Sequence, residues 1–173
     1  MELWLLVIAW TFVGVLTPAA VHKVKDHARF KAMVGAYKIV PEFLLTLAAI
    51  SIALLEVLTI TLLIFQPVIG LVLATGLFAV YLLAILINLM RDRAYIDCGC
   101  GDDPVPLSWR IVARNACLVV SGLFAILIGP GLMNLADFMI ALPMAVVAVV
   151  LYHGFEQLIQ NSANRSKLFG VTG

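Results

Sequence analysis

The sequence predicts an all-α integral membrane protein, a bundle of five transmembrane helices with a short amphipathic interfacial helix after the first span. Three observations carry that prediction. Of the 173 residues, 64% are apolar and only 12% are charged, about half the charged share of an ordinary soluble domain. The apolar residues gather into runs of about 20, the length a helix needs to cross a hydrocarbon core roughly 30 Å thick. A five-span topology also places every Lys and Arg on one side. The reading assigns residues 1–160 to a single bundle and 161–173 to a loosely ordered tail. The net charge of +1 gives no reason to expect a nucleic-acid partner, whereas the lipid bilayer is an expected one.

The first span is read over 3–20, which holds no charge and carries Trp4 and Trp10. A cleavable signal peptide would begin with Lys or Arg and have a shorter apolar stretch. Here the one early charge is Glu2, so a retained span is expected. Residues 21–40 form a basic connector. Within it Phe30, Met33, Val34 and Tyr37 recur at the spacing of one helix face, interleaved with Lys25, Arg29, Lys31 and Lys38. That is the pattern of a helix lying on the membrane surface. Pro41 can open the next helix, because its missing N–H would be unpaired there anyway.

The second span, 43–65, is interrupted only by Glu56. Gln66-Pro67 makes a turn into the third span, 68–90. Residues 91–109, RDRAYIDCGCGDDPVPLSW, form the one polar loop with Gly and Pro. The fourth span, 110–129, has Arg114 and Asn115 at its start, where an Arg can reach up to the interface. Gly129-Pro130-Gly131 breaks it, and 133–154 follows, containing Asp137 and Pro143. Two spans are expected here. A single crossing plus a re-entrant hairpin, giving four spans, is the alternative.

Five spans put the basic connector, the cysteine loop and the C-terminal tail at one end, together with all eleven Lys and Arg. Counting Lys and Arg in short loops then places that end in the cytoplasm and the N-terminus outside.

The main chemical signal is Cys98-Gly99-Cys100-Gly101. Two thiols at i and i+2 can join only if the backbone folds sharply, since a disulfide wants its α-carbons about 4.4–6.8 Å apart. Gly99 and Gly101 permit that turn. Strained, exposed disulfides are the exchangeable ones rather than structural staples, so the pair reads as a redox dithiol. The competing reading is a soft-metal site for copper or zinc held by Cys98 and Cys100, with His22 and His27 on the same side. A structural zinc site would want a second Cys/His pair, and none is present at regular spacing. Two incidental loop thiols is the third reading. Cys117, two turns into the fourth span, reads first as small apolar filler and second as a resolving thiol for the loop pair.

Glu56 also demands an account. A charged side chain at mid-span costs roughly 2.5–3.5 kcal/mol on insertion scales, so it should face other helices. It is a candidate intramembrane proton or quinone group, or equally a hydrogen bond locking helices together. His153 and Glu156 read as interface residues closing the last span.

The stretch HKVKDHARFKAMVGAYKIVPEF, Glu56 in the second span, and NLMRDRAYIDCGCG followed by WRIVARNACLVV together resemble the methylamine utilisation protein MauE family, related to the DoxX-like membrane proteins. The match covers most of residues 12–125. One departure is that Gly101 follows Cys100 directly, where the family often has an aromatic residue between. The resemblance implies a redox-associated inner-membrane protein, a thiol–disulfide oxidoreductase working with a thioredoxin-like partner. Its expected role is maturation of exported disulfide-containing proteins such as the methylamine dehydrogenase small subunit. By matching position it implies Cys98 and Cys100 as the redox pair, with Lys23, Glu56 and Arg114-Asn115 in supporting positions. Exported substrates sit uneasily with a cytoplasmic dithiol. Either reducing equivalents pass outward or the charge rule fails for this chain.

Overall fold

The computed structural model describes residues 2–96, 106–129 and 135–169. Six α-helices follow in chain order, with no strand among the described residues: α1 (Glu2–Lys25), α2 (His27–Ala36), α3 (Leu45–Phe65), α4 (Pro67–Met90), α5 (Trp109–Ile128) and α6 (Leu135–Phe169). A short 3-10 turn, Glu42–Leu44, leads into α3. Among the described residues, five helices are long and apolar enough to cross a membrane. The expected five-span bundle with a short helix after the first span is what forms.

The first helix does not end at Ala20, where the apolar run stops, but at Lys25. The reason lies in its buried stripe. Leu5, Ala9, Phe12, Leu16, Ala20 and Lys23 are all buried and follow one another at intervals of three and four, a single helix face. Lys23 occupies the next place on that face, and no Gly or Pro intervenes to stop the helix. Asp26 then redirects the chain by capping α2, its carboxylate accepting from the Arg29 N–H at 3.0 Å. The segment from Asn161, expected to be loosely ordered, is helical to Phe169, and no Gly or Pro lies between Gly154 and Gly170.

α1 is the central helix and touches each of the others. It runs parallel to α6, because Leu6 and Val7 pack with Ala141 while Gly14 meets Val149. α3 and α4 form a hairpin around Gln66 alone, with Pro67 opening α4. α4 and α5 are antiparallel, Thr75 lying against Gly122 and Ile85 against Ile111. The end of α1, α2, the Met90–Trp109 connection and the latter part of α6 therefore share one end of the bundle. The core is built from Leu5, Phe12, Leu63, Leu71, Phe78 and Leu118, with Phe12 and Phe78 meeting edge to face at 5.0 Å.

The surface is the reverse of a soluble protein's. Leu54, Val80, Leu127, Val150 and Leu151 face outward, whereas Lys23, Glu56, Asn88, Arg114 and Asn115 are buried. Such inversion is expected where hydrocarbon is the solvent and polar groups must find partners inside. Thr59 and Thr75 donate to carbonyls one turn back at 2.6 and 2.7 Å. Asn88 and Asn115 do the same at 3.0 and 2.9 Å.

Candidate functional site: a buried ion pair beside an apolar cavity

Glu56 lies on the inward stripe of α3 with Ala49, Ala53, Thr59 and Leu63 and has no exposed surface. It faces neighbouring helices, as a carboxylate at mid-span must. Its partner is the Lys23 ammonium, which donates to Oε1. The Tyr81 hydroxyl on α4 donates to the same oxygen at 2.6 Å and accepts from Lys23 Nζ at 3.1 Å. The ammonium also sits 5.1 Å from the Phe30 ring centroid and 4.8 Å from that of Tyr81, within cation–π range. Lys23, Glu56 and Tyr81 thus bind α1, α3 and α4 together, with Phe30 of α2 above the charge. Glu56 Oε2 is buried with no hydrogen-bond partner among the described residues.

A second ion pair joins α5 to α6. Arg114 donates to Glu156 Oε1 at 2.6 Å and lies 5.7 Å from the Tyr152 ring. His153 stands beside it, Nδ1 3.6 Å from Glu156 Oε2. The other ring nitrogen, Nε2, lies 3.5 Å from the Gly14 carbonyl. That carbonyl is four residues before Pro18, which has no N–H to give it. His153 therefore stands where α1 lacks a donor, and Gly14 lets α6 come close enough for it to do so. His153 and Glu156, read from sequence as interface residues, instead face the bundle.

The two ion pairs line one cavity of about 220 Å³. Most of its remaining wall is apolar, with Val15, Leu16, Phe78 and Ile85 among the residues, while Asn115 and His153 add polar groups. The four residues of the predicted amphipathic face, Phe30, Met33, Val34 and Tyr37, all line it too. That apolar face covers the cavity at the bundle end.

The cavity adjoins Ile96 and Leu107 through Ile85. Ile96 and Leu107, buried residues flanking the cysteine motif, are joined by a backbone bond of 3.0 Å from the Leu107 N–H to the Ile96 carbonyl. They pack with Ile85 and Ile111, and Ile85 also lines the cavity. Cys98 and Cys100 themselves lie outside the described residues. Cys117 is a free thiol on the outward face of α5, away from the buried stripe of Ile111, Arg114, Asn115 and Leu118. Among the described residues no three His, Cys, Asp or Glu side chains gather as a metal-binding group.

Sequence reading found Glu56 but missed Lys23 and Tyr81 as its partners. The signal was available: Lys23 falls in register with Leu16 and Ala20 on α1, and Tyr81 follows Phe78 and precedes Ile85 on the inward face of α4.

No solved structure matches this chain. Among curated relatives, a methylamine utilization protein MauE of Paracoccus denitrificans is 33% identical over 128 residues, covering 71% of this chain and 67% of its own length. The MauE of Methylophilus methylotrophus is 31% identical over 162 residues, 89% of this chain and 85% of its own. A third, from Methylorubrum extorquens, is 32% identical over 169 residues, 88% of this chain and 87% of its own. The family model for methylamine utilisation protein MauE matches residues 1–128, a span that takes in Lys23, Glu56, Tyr81, the cysteine loop and Arg114. With that span and these relatives together, the chain belongs to the MauE family.

Proposed function

We propose that this protein is a thiol–disulfide redox component of a bacterial inner membrane, in which Cys98 and Cys100 exchange with a thioredoxin-like partner during maturation of exported disulfide-containing proteins. The methylamine utilisation named for its relatives makes the methylamine dehydrogenase small subunit the expected substrate. The reading rests on the Cys98-Gly99-Cys100-Gly101 spacing. A glycine between and after the thiols favours a bond that opens and closes over one that persists. The backbone bond between Ile96 and Leu107 supports it, because the described chain on either side of the cysteine motif comes together at one fixed point of the bundle.

The charge distribution supports an orientation with this rim in the cytoplasm. Lys23 and Arg114 are internal ion-pair partners, yet the other nine Lys and Arg of the sequence still belong to the same end. Reducing equivalents would then pass outward.

The test is capture of the exchange intermediate. Replacing Cys98 or Cys100 singly by Ser should leave a mixed disulfide between the remaining thiol and a thioredoxin-like protein, isolated by acid quench and alkylation. A cytoplasmic partner agrees with the orientation, and an exported one reverses it. Failure of both single variants to trap any partner contradicts the dithiol reading.

A further inference from the structure

The cavity flanked by the two ion pairs has no part in the thiol chemistry proposed above, and its composition specifies a ligand. We infer that it binds a neutral, lipophilic ring bearing oxygen at opposite ends, the quinone–quinol class, with Glu56 Oε2 accepting a hydrogen bond from the hydroxyl of the reduced form.

Four observations lead there. The first is size: about 220 Å³ exceeds the cavity of about 150 Å³ that accepts a benzene ring and is smaller than the roughly 300–1,000 Å³ of sites for drug-sized ligands. A substituted six-membered ring fits, and a whole lipid does not. The second is charge. Lys23 is paired with Glu56 and Arg114 with Glu156, so an ionic ligand would enter without a counter-charge of its own, at high cost in a low-dielectric site. A neutral ligand avoids that cost.

The third is the polar pattern. Glu56 Oε2 is a buried acceptor without a partner among the described residues, on a residue that lines the cavity. It calls for a donor from the occupant, since a buried polar atom left unmatched is destabilising. Asn115 and His153 line the same cavity from α5 and α6, adding polar groups from two further helices to a wall that includes Val15, Leu16 and Phe78. The fourth is access. Val80 of α4 and Ile39, just beyond α2, both line the cavity and are exposed on the outside of the bundle. The space therefore opens sideways toward lipid, which is where an isoprenoid tail would lie.

The inference is independent of the dithiol reading, and the experiment separates them. Decylubiquinone and decylubiquinol are titrated against the purified full chain in nanodiscs, and against the Cys98→Ser/Cys100→Ser variant. Saturable binding of about one molecule per chain is expected for both proteins, whatever becomes of the thiol exchange. Ala84→Trp places a large side chain at the cavity wall and leaves all four ion-paired residues in the sequence. It should raise the Kd for both compounds about tenfold or more in protein that remains monodisperse with an unchanged melting temperature. Glu56→Gln must share one carbonyl oxygen between Lys23 and the ligand, so it should weaken decylubiquinol binding more than decylubiquinone binding. Absence of saturable binding overturns the inference, as does unchanged affinity in folded Ala84→Trp. Equal competition by hexadecane would show an acyl-chain cleft with no recognition of the ring, and would overturn it as well.

Discussion

Lys23 and Glu56 are each costly in a bilayer, and each is tolerable because of the other. Removing one member of a buried pair leaves the other charge uncompensated, a change that costs about 3–5 kcal/mol, while replacing both with apolar groups of similar size is often neutral. Lys23→Met is accordingly expected to destabilise the protein by about that amount, and Lys23→Met/Glu56→Met to recover most of the loss. Denaturant unfolding in detergent micelles measures both. If the double variant is no better than the single one, the two charges do not act as a pair. His153 offers a finer case. Its Nε2 stands 3.5 Å from the carbonyl that Pro18 leaves without a helical donor. His153→Ala should cost about 1 kcal/mol, and that cost should vanish in a Pro18→Ala background, where the helix supplies its own N–H. An undiminished cost in that background would assign His153 to its contact with Glu156 instead.

Helix contacts in this bundle are made close by small residues, as expected where lipid removes the hydrophobic drive for association. A Cβ on Gly122 of α5 would run into the Thr75 hydroxyl and press on the Phe12 ring, whereas one on Gly76 of α4 would meet nothing within 4 Å. Gly122→Ala is therefore expected to lower stability by about 1–3 kcal/mol through overpacking. Gly76→Ala should be neutral or raise it by up to about 1 kcal/mol through the better helix former. Thermal unfolding of the two variants in the same detergent checks the contrast, and equal effects would contradict the α4–α5 packing. Much of this element structure was legible in the sequence, because a run of about 20 apolar residues has few fates besides a span. The end of α1 was not, since hydropathy marks where lipid stops and the helix continues on a buried stripe whose next member is a lysine. The face of α2 was legible as a stripe, but what it covers was not. Periodicity reports that a face is apolar, and only the packing of α1, α3 and α4 shows that a cavity lies beneath Phe30 and Tyr37. The partners of Glu56 are distant by 33 and 25 residues, too far apart for any local pattern to join them.

Taken whole, the molecule concentrates its chemistry at one end. Lys23, Glu56 and Tyr81, the Arg114–Glu156 pair, the cavity they line and the stem of the cysteine loop all lie there. The other end holds the single-residue link at Gln66 between α3 and α4. The cysteine motif reads as a candidate dithiol from its spacing, whereas the meeting of Ile96 with Leu107 became visible only when α4 and α5 were seen to bring Ile85 and Ile111 against them. The most direct measurement follows the thiols of exported proteins in cells that carry only the Cys98→Ser/Cys100→Ser variant, by alkylation and gel shift of the methylamine dehydrogenase small subunit. With the variant present at parental level in the membrane, the subunit should accumulate in reduced or mispaired form and enzyme activity should fall at least tenfold. Maturation at the parental rate would mean that the two cysteines take no part in it.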